Sequence, residues 1–270
     1  MFGISRQARY KRIKADQKKI EYENMVIMLV KQIRCIMPTL GALKLKAMLA
    51  DPPYGLPVFI GRDRLLDILD RYGMQSKLYK RKKRTSNSTH KLPVYSNLIK
   101  TIKLGFANQV WVSDITYLKL ANNKYCYLFL VTDLYSRKVL GYALKPSLHA
   151  EGAIQALQMA ISYACPKPGL IHHSDHGIQY CSKDYVSLLE QQGAILSMTG
   201  PQRCYDNAVA ERINGILKHE FGLGSVLPNI KAASLLTANS IDVYNNIRPH
   251  LSLSLQTPSE VYEASLKAVA

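Results

Sequence analysis

Val110-Trp111-Val112-Ser113-Asp114-Ile115-Thr116-Tyr117-Leu118-Lys119-Leu120, followed by Tyr125-Cys126-Tyr127-Leu128-Phe129-Leu130-Val131-Thr132-Asp133, decides the architecture. The first run alternates around Asp114 and reads as a strand. The second is almost continuously apolar, as expected of a strand buried on both faces. Asn122-Asn123 between them suits a tight hairpin turn. Residues 137–144 make a third strand after a turn at 134–136. The period then becomes helical over 150–165, with Ala153, Ile154, Leu157, Ala160 and Ile161 on one side. Further along, residues 170–173 read as a strand and 182–192 as a helix that Ser182 can cap. Residues 194–198 read as a fifth strand, and 207–221 and 231–246 as helices. Three strands, then helix, strand, helix, strand, helix, predict a mixed α/β sheet with helices on both faces.

Upstream the chain has a different character. Residues 1–24 are basic, with Arg6, Arg9, Lys11, Arg12, Lys14, Lys18 and Lys19. Apolar spacing predicts helices over 23–36 and 43–49 and a third from Arg62 to Tyr72, the last carrying Arg62, Arg64 and Arg71 outward. Pro38 stops the first and Gly73 the third. Three short helices with basic outer faces fit a small helix-turn-helix-like DNA-binding unit, and equally any small helical bundle. Six of the eight residues at 77–84 are basic, among them Lys80, Arg81, Lys82, Lys83 and Arg84, and 85–90 are polar, so this stretch reads as a phosphate-tracking linker.

The charge is unevenly placed. Residues 1–100 carry 22 Lys and Arg against seven Asp and Glu, whereas the remaining residues carry 14 against 12. A basic first third joined to a near-neutral body predicts a polyanion-binding arm on a globular core, with nucleic acid the natural polyanion. Hydrophobic residues make up 47% of the chain, enough for a buried core, yet no run approaches the ~18 residues of a membrane span. With no signal-peptide pattern, a cytoplasmic protein is expected. The five cysteines are scattered and contain no C-x-x-C pair, which argues against a disulfide framework or a zinc ribbon.

Three acids stand where such a sheet would gather them. Asp114 lies mid-strand, costly in apolar surroundings unless paired or metal-bound. Asp175 follows the fourth strand in His172-His173-Ser174-Asp175-His176-Gly177, at a strand's carboxyl edge. Glu211 falls in the first turn of the helix that begins near Asn207. Asn207, Glu211, Asn214 and Lys218 form one polar stripe of that helix, opposite Val209, Ile213, Ile216 and Leu217. Hard oxygen ligands from three separate elements suit Mg²⁺ or Mn²⁺, and two such ions serve an in-line phosphoryl displacement.

These residues resemble a family. Trp111 to Tyr117, His173 to Tyr180, and Asp206-Asn207-Ala208 with Glu211 and Lys218 are similar to the three acid motifs of integrase-core transposases of bacterial insertion sequences. The resemblance is specifically to the second-frame product of the family numbered three, a relative of retroviral integrases. The 35 residues between Asp175 and Glu211 match the spacing of this class. Asp133-Leu134-Tyr135-Ser136-Arg137 and Tyr244-Asn245-Asn246-Ile247-Arg248-Pro249-His250 resemble two further signatures.

The resemblance implies a ribonuclease-H-like fold. It implies Asp114, Asp175 and Glu211 as catalytic metal ligands for two Mg²⁺ or Mn²⁺ ions. It also implies cleavage and strand transfer at the ends of a mobile element. Lys218, Asn207 and Asn214 are expected to face DNA, as are Arg62, Arg64 and the 80–84 cluster; His176 is expected to contact DNA or to orient Asp175. The expected partition is a basic helical module (1–76), a basic linker (77–107), the integrase core (108–225) and a helical extension (226–270). Expected partners are element terminal repeats, target DNA, further copies of the chain on DNA, and an upstream-frame product or fusion, in a nucleoid-associated bacterial setting. The competing readings are an inactive or partial transposase acting as a DNA-binding regulator, and a ribonuclease-H-like nuclease.

Overall fold

In the computed structural model the described residues are 5–76, 95–200 and 207–269. The chain divides into two compact units, Met1–Leu78 and Tyr79–Ala270.

The first unit is helical: α1 (Arg6–Ile36), α2 (Ala42–Ala50) and α3 (Arg62–Arg71). Its core is the apolar set of the periodic segments, Val26, Val30 and Ile33 from α1 against Leu45, Leu49, Leu65 and Ile68. Glu23 is buried among them and accepts two bonds of 2.8 Å from the Arg71 guanidinium, which ties α1 to α3. That pairing lowers the Glu23 pKa against the opposing effect of burial. The first helix is longer than its apolar spacing suggests. It begins at Arg6, capped by the Ser5 hydroxyl on the Ala8 amide, because residues 6–22 contain strong helix formers and neither Gly nor Pro. Residues 51–61 connect α2 to α3, a longer link than the three- or four-residue turn of a helix-turn-helix.

The second unit carries a five-stranded sheet in the order β3-β2-β1-β4-β5. Its strands are β1 (Val110–Lys119), β2 (Tyr125–Asp133), β3 (Val139–Lys145), β4 (Ile171–Ser174) and β5 (Ile195–Met198). The first three form an antiparallel meander, and β4 and β5 continue it in parallel. Between β1 and β2 the chain makes a short 3-10 turn, Ala121–Asn123, with Asn123 in the left-handed region. The Asp133 carboxylate organises the turn after β2, accepting from the Ser136 amide at 2.7 Å and hydroxyl at 2.6 Å and from the Asn108 amide at 2.8 Å.

Helices α4 (Ala150–Ala164), α5 (Lys183–Gln191), α6 (Ala208–Glu220), α7 (Ile230–Asn246) and α8 (Pro258–Val269) complete the unit. Alternation along β1 sorts the faces. Trp111 joins Phe129, Leu157 and Tyr185 in the larger core with α4 and α5, while Val110 and Val112 meet Ala210 of α6 on the other side. Gly141 of β3 lets α4 pack closely: a Cβ there would stand 2.0 Å from the Ala156 carbonyl oxygen. The 244–250 signature fastens the C-terminal helices to this frame. The Asn245 amide makes two 2.9 Å bonds with the Val139 backbone, as a neighbouring strand would. The buried Arg248 guanidinium donates two 2.9 Å bonds to Glu220 at the end of α6. This segment is therefore packing, with Arg248 and His250 both buried.

Candidate active site

Asp114 sits on β1, in the middle of the sheet, and the strand's alternation turns it toward α6. It is 7% exposed. One carboxylate oxygen accepts from the Ile115 amide at 2.9 Å, and the other from the Asn214 side-chain amide at 2.6 Å. Asp175 lies immediately past β4, the parallel neighbour of β1. Val110 pairs with Ile171 and Val112 with His173, so the same register carried two residues on brings Asp175 level with Asp114. Neighbouring strands are about 4.8 Å apart. The Gly177 amide donates to the Asp175 carboxylate at 3.0 Å. A Cβ on Gly177 would come within 3.0 Å of that same carboxylate oxygen, so the tight turn after Asp175 suits glycine. Asp175 also acts on Cys181, whose thiol pKa is raised first by burial and then by this negative charge.

Glu211 is on the first turn of α6 and exposed. The helix that carries it is pinned to β1 at two points: Asn207 donates its side-chain amide to the Ser113 carbonyl at 3.1 Å, and Asn214 donates to Asp114. Both asparagines are buried, and each has a side-chain oxygen with no hydrogen-bond partner. The expected exposed stripe thus divides. Asn207 and Asn214 turn inward as fasteners to β1, which removes them from direct contact with DNA in this arrangement. Glu211 faces outward from the same edge, and Lys218 is half-buried two turns further on. Among the described residues no three His, Cys, Asp or Glu side chains stand close enough together to enclose an ion as placed. Asp114 and Asp175 are brought level, and Glu211 is carried to the same side of the sheet on α6.

The opposite face of β1, behind Asp114, holds a polar network that sequence reading missed. His172 Nε2 lies 2.8 Å from both the Ser113 and the Tyr185 hydroxyl. Burial, aided by the neighbouring His173, pushes the His172 pKa down to about 3, so its imidazole is neutral, and its tautomer sets whether Nε2 accepts from or donates to these hydroxyls. Burial raises the Tyr185 hydroxyl. His173 Nδ1 meets the Ser197 hydroxyl at 2.9 Å. Two of the three histidines around Asp175 are therefore engaged with hydroxyls. The sequence signal was present in a serine and a histidine on buried strands, but nothing in spacing alone paired them with Tyr185. His176 is half-buried in the loop after Asp175.

In the first unit, Arg62 and Arg64 are exposed. Arg62 pairs with Asp63 at 2.9 Å, and Arg64 stacks over the Tyr22 ring at 4.8 Å. Lys80, Arg81, Lys82, Lys83 and Arg84 lie outside the described residues.

A mixed sheet of this order, with an aspartate on its central strand, another just past the end of the parallel neighbour and a glutamate on a helix pinned to the central strand, has the layout of an integrase-type polynucleotidyl transferase core. Two integrase core domain families match the chain, over residues 107–204 and 192–258. An uncharacterized 31 kDa protein of insertion element IS600 from Shigella sonnei is 33% identical over 268 residues, covering 97% of this chain and 96% of that protein. Transposase InsF of insertion sequence IS3A from Escherichia coli K12 is 36% identical over 185 residues, 67% of this chain and 64% of InsF. The chain thus spans slightly less than two thirds of InsF. Among solved structures, the HTLV-2 integrase catalytic core domain in complex with magnesium aligns over 58% of this chain and 97% of that one, with 19% identity and a TM-score of 0.47. The chain belongs to the integrase-core transposases of bacterial insertion sequences.

Proposed function

We propose that this transposase cleaves donor strands at the ends of its mobile element and joins them to target DNA, with Asp114, Asp175 and Glu211 holding two Mg²⁺ or Mn²⁺ ions. The observation that carries the reading is the parallel pairing of β1 with β4, with Asp114 on the one and Asp175 just past the other, beside a helix that is bonded to Asp114 and bears Glu211. The donor set fits hard divalent cations: three carboxylates supply oxygen only, and the buried, unpartnered oxygens of Asn207 and Asn214 add no soft ligand. When bound, such ions activate a nucleophilic oxygen and stabilise the departing one.

The chain's own residues set the stage for that chemistry. Asn214 orients the Asp114 carboxylate through its 2.6 Å bond, and Gly177 does the same for Asp175. Lys218, on the Glu211 stripe, reaches toward a phosphate of the element end with a flexible cationic stem. His176 is adjacent to Asp175 and able to contact the same strand. Assembly of several copies on the two element ends, and cooperation or fusion with an upstream-frame product, belong to this reading, as does a cytoplasmic, nucleoid-associated setting. No helix among the described residues is long and apolar enough to cross a membrane.

The test is strand nicking of a labelled duplex carrying the element end. Asp114→Asn, Asp175→Asn and Glu211→Gln should each abolish Mg²⁺-dependent nicking while duplex binding persists. Retained nicking in all three variants would dismiss the assignment. Nicking without strand transfer by the parent chain would favour a nuclease, and binding without nicking a regulator.

A further inference from the structure

The first seventeen described residues of α1 and its cap are exposed without interruption, from Ser5 to Glu21. The bundle with α2 and α3 uses the helix only from Tyr22 onward. Residues 6–21 therefore form a free helical rod of about 24 Å. Its side chains are sorted. Tyr10, Ile13, Gln17 and Ile20 recur at intervals of three, four and three, which places them on one stripe. Tyr10, Ile13 and Ile20 are 70%, 47% and 55% exposed. Lys14 and Lys18 lie to one side of that stripe and Arg9 and Arg12 to the other, Arg6 lies on the stripe itself, and Lys11 and Lys19 lie toward the back of the helix. Among the described residues Arg9, Lys11, Arg12, Lys14 and Lys18 form no ion pair. The acids of the rod are Asp16 and Glu21.

We propose that this rod lies in the major groove of duplex DNA and reads sequence there, a deepening that rests on the transposase reading of the chain. An α-helix with its side chains is about 10–12 Å across and the major groove about 12 Å wide. A helix seated in the groove meets a phosphate wall on each flank and base edges along one stripe. Cations on both flanks match the two walls. The stripe offers what base edges accept: isoleucine and tyrosine for the thymine methyl, and glutamine for adenine N6 and N7. A second copy of the chain pairing along the same stripe would bring both sets of flanking cations together in repulsion, so the charge favours a polyanion. The groove-reading element is thus α1. In α3 the two outward arginines are already engaged, Arg62 with Asp63 and Arg64 with Tyr22.

The experiment is anisotropy binding of the full chain to an element-end duplex and to a mixed-sequence duplex of equal length, across a KCl series. Replacing Lys14 and Lys18 together by glutamine, which keeps helix propensity, should lower the log–log salt slope by roughly 1.8, about 0.9 for each phosphate no longer neutralised. Gln17→Ala with Ile13→Ala should leave the slope unchanged and reduce the preference for the element end by roughly tenfold or more. Methylation of guanine N7 in the bound region should interfere with parental binding. An unchanged slope in the lysine variant overturns the proposal. So does a fall in sedimenting mass on Ile13→Ala with Ile20→Ala at constant slope and preference, which would make the stripe an interface between copies. If the helix variants behave as expected but the parent never cleaves, groove reading stands and the strand-transfer reading falls.

Discussion

Glu220→Ala should be among the most destabilising single changes in the second unit. Arg248 has only 3% of its side chain exposed, and Glu220 13%, and two 2.9 Å bonds join them. Removing the carboxylate strands a guanidinium that cannot shed its charge in a site closed to solvent. The cost of such a change is about 3–5 kcal/mol, most of it the penalty for the orphaned charge rather than the worth of the pair. With a urea m-value near 2 kcal/mol/M, the unfolding midpoint of the second unit should fall by roughly 1.5–2.5 M. Trp111, the chain's single tryptophan, is fully buried in that unit and reports its unfolding by fluorescence. The companion change Arg248→Met with Glu220→Leu should recover most of the loss, because it removes both charges from the buried site. High salt should leave the penalty in place, since a buried pair is weakly screened. A midpoint shift for Glu220→Ala within that of an ordinary surface substitution would refute the reasoning and return the pair to an exposed ion pair.

Other consequences stem from the same packing. Asn214→Ala removes a charge-assisted bond from Asp114, worth about 1.5–3 kcal/mol, and should slow nicking by roughly 10- to 100-fold in a single-turnover assay while duplex affinity holds. Unchanged nicking would show that Asp114 needs no orienting partner. His172 is ordinarily half-protonated near 6.5 and is depressed to about 3 in the fold, so the unfolded chain takes up the proton first as pH falls. Stability should therefore decline from pH 6.5 toward 3, and His172→Gln should flatten that part of a urea-midpoint profile; an identical slope in the variant would place the acid sensitivity elsewhere. Gly141→Ala forces a Cβ onto the Ala156 carbonyl oxygen at 2.0 Å and the Ala160 amide nitrogen at 2.7 Å, both backbone, and should cost about 1–3 kcal/mol by displacing α4 from β3. A stable, unshifted variant on thermal unfolding would contradict this close approach.

The strands are legible because their residues obey a single period. Alternation about Asp114 and the apolar run at 125–133 leave β1 and β2 little choice, and the observed bounds fall within a residue or two of those expected. The three acids stand out in the sequence by motif and spacing, and the parallel pairing of β1 with β4, carried two residues on, sets Asp114 beside Asp175. Other features are hidden, for physical reasons. Residues 6–22 read as a basic arm because their few apolar residues are outnumbered by charged ones and stay exposed, yet propensity and a serine cap suffice to continue α1. Helix α8 opens at Pro258 and has short apolar spacing, so in sequence it merges into a general helical extension. Asn207 and Asn214 look like an exposed polar stripe, since periodicity gives the face of a helix but not whether a strand carbonyl and a carboxylate wait beneath it. The same blindness hides the Ser113–His172–Tyr185 network, whose members meet only once the sheet and α5 have packed.

The central claim is that Asp114, Asp175 and Glu211 together hold the divalent ions of a strand-transfer site. Anomalous scattering from Mn²⁺ in crystals of the chain bound to an element-end duplex tests it most directly. Two peaks are expected, held among the carboxylates of Asp114, Asp175 and Glu211. Peaks on other residues, or a fully ligated complex in which Glu211 remains turned to solvent, would contradict it.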